Sequence, residues 1–138
     1  MSIEENIANQ RRVWEEVLNQ RNLDLASEFI TENWVEHTPW SDIKGIDGFK
    51  QGPKMMLAAF PDMHTTIDDI FGYEDRVVSR VTITGTFTGE YMGFAPTGKE
   101  FSFKAIVITH WVEGKEVVTW SAWDRLSIFQ QLGINPTN

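Results

Sequence analysis

Three histidines, no cysteine and a scatter of acidic side chains make up the chemistry that this chain of 138 residues could carry. His37 stands between an extended run, Asn33-Trp34-Val35-Glu36, and Pro39. An imidazole titrates near neutrality and can take or give a proton without a large pKa shift, so His37 is a candidate base or acid. A histidine that satisfies the turn before Pro39 accounts for the same position equally well. Asp124 directly precedes Arg125-Leu126-Ser127, where a carboxylate caps a helix by accepting an orphan backbone N–H. Asp62 follows a proline at a helix end and reads as a turn former. His64 opens a strand without an evident partner, and His110 alternates onto the sheet face that Val107 does not use. The histidines form neither an HxH nor an HExxH pattern, so no metal site is expected. Ser-His-Asp hydrolysis has no nucleophile elbow to support it.

The segment Thr84-Gly-Thr-Phe-Thr-Gly-Glu-Tyr-Met-Gly-Phe-Ala-Pro-Thr-Gly98 offers a second kind of site, a loop that places Tyr91, Met92 and Phe94 among residues that permit tight bends. A long hairpin connection needs the same glycines and proline. A phosphate cradle is a poor fit, because Gly98-Lys99 leads into Glu100 and a strand instead of Ser or Thr and a helix.

These residues must be held by elements that the hydrophobic pattern predicts. Ile3, Ile7, Val13, Trp14, Val17 and Leu18 give an amphipathic helix over 3–21, followed by a short helix over 23–29 and an extended segment over 33–37. Gly45 to Phe60 reads as a third helix, with Pro53 early in it or bending it. From His64 the period changes to two, predicting strands over 65–73, 76–88, 100–112 and 116–124, the last two joined by a tight turn at Glu113-Gly114-Lys115. A final helix over 125–132 is closed by Gly133 and followed by Pro136. Helices first and strands after imply an α+β fold, a single domain over 1–138 with helices on one face of a curved, mostly antiparallel sheet.

Length and composition bound the function. The N-terminus lacks a signal-peptide pattern and no stretch of 18 apolar residues exists, so a membrane span is not expected and a cytoplasmic protein is. The lack of cysteine fits a reducing compartment. A net charge of −8 argues against nucleic acid and anionic membranes as partners. Six Trp and nine Phe exceed what a small core needs for volume, which suggests an aromatic-lined cavity for a small apolar ligand, a partner surface, or both. The strands over 101–112 and 117–123 are apolar on both faces. With helices covering one face, the other is expected to meet a second copy, making a homodimer through the sheet.

The ordered set Glu36-His37, Phe60-Pro61-Asp62-Met63, Asp75-Arg76-Val77, Gly85-Thr86-Phe87-Thr88-Gly89, Met92-Gly93-Phe94-Ala95-Pro96-Thr97-Gly98, Glu113-Gly114-Lys115 and Gln131-Leu132-Gly133 spans nearly the whole chain. In this set the chain resembles the SnoaL-like polyketide cyclases, also called predicted ester cyclases, of the nuclear transport factor 2-like superfamily. The resemblance implies a cone-shaped curved sheet with N-terminal helices on its concave face, an apolar pocket inside, and no cofactor. It also implies a pocket position seven residues either side of Gly114, where cyclases of the family carry an acid/base aspartate and a histidine; here those positions hold Ser121 and Val107. Ser121 is thus a candidate catalytic or lining residue, and Val107 its near-opposite neighbour. Related ketosteroid isomerases carry their general base two residues after a Val in the early strand, the spacing at which Val35-Glu36-His37 places an imidazole. Their oxyanion tyrosine on the first helix corresponds approximately to Trp14, whose indole N–H is a donor but a poor acid.

Trp34, Trp40, Phe60, Tyr91, Phe94 and Trp123 are the expected pocket wall beside Trp14 and Val107, although each could be core and for Phe60 core accounts better. The expected function is a cofactor-independent cyclase, isomerase or lyase that moves a proton on an apolar carbonyl-bearing or cyclic molecule, with His37 as base or acid. A hydrolase acting through an activated water, a protein that only binds a hydrophobic ligand, and an adaptor using the sheet face remain open alternatives.

Overall fold

Ser2 starts the first helix through a reciprocal cap, its Oγ accepting from the Glu5 N–H at 3.1 Å while the Glu5 carboxylate reaches back to Ser2. In the computed structural model, which describes residues 1–135, this helix α1 (Ile3–Arg12) runs on as a wider π-helical stretch, Val13–Asn19. Arg21 ends it in a left-handed conformation, φ 58°. A 3-10 turn (Leu23–Leu25) and α2 (Ala26–Phe29) lead into β1 (Ile30–His37), three residues earlier than the extended segment expected from sequence. A short strand β2 (Asp42–Lys44), not foreseen from the sequence, pairs with it.

Helix α3 (Gly45–Ala59) carries Pro53 inside it without breaking. Four strands follow: β3 (His64–Tyr73), β4 (Arg76–Thr86), β5 (Glu100–Val112) and β6 (Lys115–Trp123). Helix α4 (Arg125–Leu132) is capped by Asp124, which accepts from the Ser127 N–H at 3.0 Å, and closed by left-handed Gly133. Pro136 lies outside the described residues.

The sheet order is β2-β1-β6-β5-β4-β3. Every pairing is antiparallel except β1 with β6, which is parallel. The curved sheet is therefore mixed and unclosed, with the N-terminal helices on its concave side, an α+β architecture. Strand β5 alternates strictly: Phe101, Phe103, Ala105, Val107, Thr109 and Trp111 are buried, while Lys104 and Ile106 are exposed.

Two apolar clusters hold the sheet to the helices. In one, Phe60 is completely buried with its ring centroid 4.7 Å from Phe101, 5.2 Å from Tyr91 and 5.6 Å from Phe87. The Thr84–Gly98 loop is fastened here: the Thr88 and Gly89 N–H groups donate to the Ala59 carbonyl, and a Cβ on Gly89 would overlap the Ala58 carbonyl oxygen. Its tip folds back as a tight turn at Met92-Gly93, both at positive φ, bridged by Tyr91 and Phe94.

The convex face stays open. The register lines up Phe71, Val78, Ile108, Trp120 and His37 in one row across five strands, and Phe71 and Ile106 are each 52% exposed.

Candidate active site

A cavity lies between the concave face of the sheet and the α1 and α3 helices, in three adjoining lobes. The middle lobe, about 220 Å³, is walled by Trp14, Leu18, Met56, Phe103, Val107 and Trp123. The deep lobe, about 170 Å³, ends among Gln10, Thr109, Glu116 and Thr119. The outer lobe, about 360 Å³, opens between Trp40, Tyr91, Met92 and Arg125. Glu36 borders all three lobes.

Strand alternation explains how a carboxyl arrives there. Trp34 is almost fully buried on the inner face of β1, so Glu36, two residues on, shares that face and His37 takes the other. The parallel pairing sets Glu36 beside Thr119 of β6 and so brings Ser121 within reach. Ser121 Oγ donates to Glu36 Oε2 at 2.6 Å. Burial among apolar walls raises the Glu36 pKa above the ordinary carboxyl value, and the Ser121 hydrogen bond partly offsets this by stabilising the anion. Val107 and Ser121 are direct cross-strand partners on β5 and β6, and both line the middle lobe. The carboxyl thus sits beside Ser121, supplied by the neighbouring strand instead of by β6 itself.

A second carboxyl marks the deep end. Glu116 is 2% exposed, and desolvation raises its pKa to about 7 against the opposing pull of hydrogen bonds from Thr119 and Trp34. Its inward direction comes from an irregularity in the β5–β6 ladder, where Trp111 pairs with Glu116 but His110 pairs with Val118. Val117 is the extra residue of this bulge. Without it, period-two alternation would turn Glu116 outward with Val118 and Trp120.

The structure separates the residues expected from sequence. The expectation that His37 faces the pocket is corrected: its ring lies on the convex face, with Nδ1 2.8 Å from Asp42 Oδ1 and the ring beside Trp120. Trp14 lines the cavity with its ring, but its indole N–H donates to buried Ser79 Oγ at 3.1 Å and is not free for an oxyanion. Trp34 lines the deep lobe, its N–H held by Thr119 at 3.0 Å.

Trp40 and Trp123 meet edge-to-face at 4.7 Å at the outer lobe, where the Arg125 guanidinium lies over Trp40. Tyr91 borders the same opening. Phe60 and Phe94 do not line the cavity: Phe60 belongs to the core, and Phe94 packs on Phe129 because the Met92-Gly93 turn folds it back. Asp62 is structural, accepting from the Thr86 N–H and hydroxyl at 2.7 and 2.6 Å. His110 lies on the face away from the cavity and pairs with Asp75. Among the described residues, no group of three or more His, Cys, Asp or Glu side chains is placed to hold a metal ion. No helix among them is long and apolar enough to cross a membrane.

Sequence reasoning missed Glu36 and Glu116. The signal for Glu36 was present, since a buried Trp34 fixes the inner face of β1 two residues earlier. Glu116 had none, because the bulge that turns it inward depends on pairing with β5.

A family model for SnoaL-like polyketide cyclases matches residues 8–132. Aklanonic acid methyl ester cyclase AcmA of Streptomyces galilaeus is 29% identical over 118 residues, covering 80% of this chain and 78% of that protein. Among solved structures, AclR of the same organism, a proposed hydroxylase, superposes with a TM-score of 0.86 at 27% identity, over 98% of this chain and 85% of that one. IdmH of Streptomyces antibioticus, a proposed polyketide cyclase, gives a TM-score of 0.82 at 26% identity, over 94% and 99%.

Proposed function

The chain belongs to the SnoaL-like polyketide cyclase family, and from that premise we propose that it is a cofactor-independent cyclase-type enzyme with Glu36 as its general base and acid. The observation that carries this reading is the Glu36–Ser121 pair at 2.6 Å inside an aromatic-lined cavity. An apolar carbonyl compound entering past Trp40 and Trp123 meets one carboxyl, raised in pKa by burial and held in direction by Ser121. Glu36 takes a proton from the carbon beside a carbonyl, leaving an enolate. The enolate carbon bonds to a second carbonyl carbon of the same molecule, and the oxygen of that carbonyl receives the proton from Glu36. A ring closes and the carboxylate is regenerated. Burial favours such a base, because a carboxyl of raised pKa is a stronger proton acceptor once ionised. We assign proton transfer to Glu36 in place of His37, with Ser121 as positioning residue and Trp14, Val107, Tyr91 and Trp123 as pocket wall.

Two further parts of this reading concern assembly and place. A second copy covers the convex face through Phe71, Ile106 and Trp120, giving a homodimer; a monomeric mass by light scattering at micromolar concentration would contradict it. Action in the cytoplasm is supported by the absence of cysteine.

Aklanonic acid methyl ester and simple aryl β-ketoesters in D2O provide the test. Deuterium uptake at the carbon between the carbonyls, above the protein-free rate, is expected. Tight binding without exchange or ring closure across both compound classes would instead identify a ligand-binding protein.

A further inference from the structure

The deep lobe contains a buried carboxyl that proton transfer at Glu36 does not use. Glu116 is held on one oxygen only: Oε1 accepts from Thr119 Oγ1 and, at 3.4 Å, from Trp34 Nε1, while Trp34 also donates to Thr119 Oγ1 at 3.0 Å. Its other oxygen, Oε2, is buried and has no hydrogen-bond partner among the described residues. A buried carboxyl left half-satisfied costs stability, and here a β-bulge at Val117 turns it inward. The floor around it is polar, with Gln10 Oε1 accepting from Thr109 Oγ1 at 2.7 Å. The middle lobe above it is almost wholly apolar apart from Glu36, Thr65 and Ser121.

We infer that the deep lobe is a specificity subsite for an uncharged oxygen, a carbonyl or hydroxyl at the far end of the substrate, which accepts a hydrogen bond from Oε2 of Glu116. Oε1 is occupied as an acceptor, so the proton of the neutral acid resides on Oε2, and Glu116 is one of the residues that line the lobe. An anionic group is excluded, since it would lie in a desolvated space bordered by both Glu36 and Glu116. A hydrocarbon there leaves the carboxyl unpaired, the kind of mismatch by which polar pockets discriminate strongly. Burial raises the Glu116 pKa to about 7, so the neutral acid predominates at pH 6. This inference rests on the reading of the cavity as a small-molecule pocket and adds which functional group that molecule must carry.

The test is a matched pair of ligands, 2-acetylnaphthalene and its hydrocarbon isostere 2-isopropenylnaphthalene, titrated at pH 6 by quenching of tryptophan fluorescence. The wild type should bind the ketone at least tenfold more tightly. Glu116→Gln, which keeps an acceptor for Thr119 and offers N–H groups in place of Oε2–H, should retain the preference. Glu116→Leu should reduce it to about one while still binding the alkene. Equal affinities in the wild type overturn the inference, and they do so even if Glu116→Leu fails to fold. A preference that survives Glu116→Leu but disappears in Glu36→Gln also overturns it, by placing the oxygen at Glu36. Failure of both ligands to bind would contradict the small-molecule reading of the cavity itself, and the subsite with it.

Discussion

Ser121 donates its hydroxyl proton to Glu36 Oε2 at 2.6 Å across the parallel pair β6–β1. The family resemblance implies an acid/base aspartate at the Ser121 position, and this chain brings a carboxyl to the same part of the pocket from the adjacent strand. The change of strand is a matter of register, since Glu36 pairs with Thr119 and its side chain reaches toward Ser121 two residues along.

Removing the serine hydroxyl should change the acidity of the site more than its shape. The Ser121 bond lowers the Glu36 pKa against the larger upward effect of burial, so Ser121→Ala should raise that pKa further. A reaction that needs ionised Glu36 gains rate as pH rises through the pKa, and its acid limb should move to higher pH in the variant. The pH dependence of deuterium uptake into an aryl β-ketoester checks this. An unmoved acid limb would separate Ser121 from the titrating group.

Glu116 links stability to pH with a definite sign. In the folded chain its pKa is pushed up to about 7, against an ordinary glutamate value of 4.5. Between these values the folded state binds the extra proton, so stability from this group is full below the unfolded pKa and declines as pH rises toward 7. The total is on the order of 3 kcal/mol. Chemical denaturation of the wild type and Glu116→Gln from pH 4 to 8 should show the wild type losing stability relative to the variant as pH rises. Parallel curves would mean that Glu116 is not held in a desolvated site.

The fastening of the loop to α3 should be sensitive to one methyl group. Gly89→Ala places a Cβ on the Ala58 carbonyl oxygen, and relieving that overlap should cost about 1–3 kcal/mol. Phe60→Ala, at the centre of the ring cluster with Phe101, Tyr91 and Phe87, should cost about 3–5 kcal/mol. Denaturant midpoints measure both.

Much of the fold was legible because periodicity acts locally. The switch from helical spacing to alternation at His64, the hairpin at Gly114 and the caps at Asp124 and Gly133 depend on neighbours in sequence, and all appear in the structure. The short strand β2 lacks enough residues for a period to show, and the π-helical stretch around Trp14, with its i→i+5 hydrogen bonds and wider turn, is too short for its apolar spacing to be told from that of an α-helix. The site was less legible, because its carboxyls depend on pairing between distant strands. An imidazole is the evident acid/base group of the Glu36-His37 pair, yet Trp34 buried two residues before Glu36 sends the histidine to the convex face. Glu116 is inward only because of the bulge at Val117.

Deuterium uptake into aklanonic acid methyl ester and aryl β-ketoesters, compared between the wild type and Glu36→Gln, reports directly on proton transfer at Glu36. Glutamine keeps a polar partner for Ser121 but cannot accept the proton. Uptake should fall by about 10²–10⁴-fold in the variant, with ligand binding retained and with His37→Ala close to wild type. Undiminished uptake in Glu36→Gln would rule out Glu36 as the base.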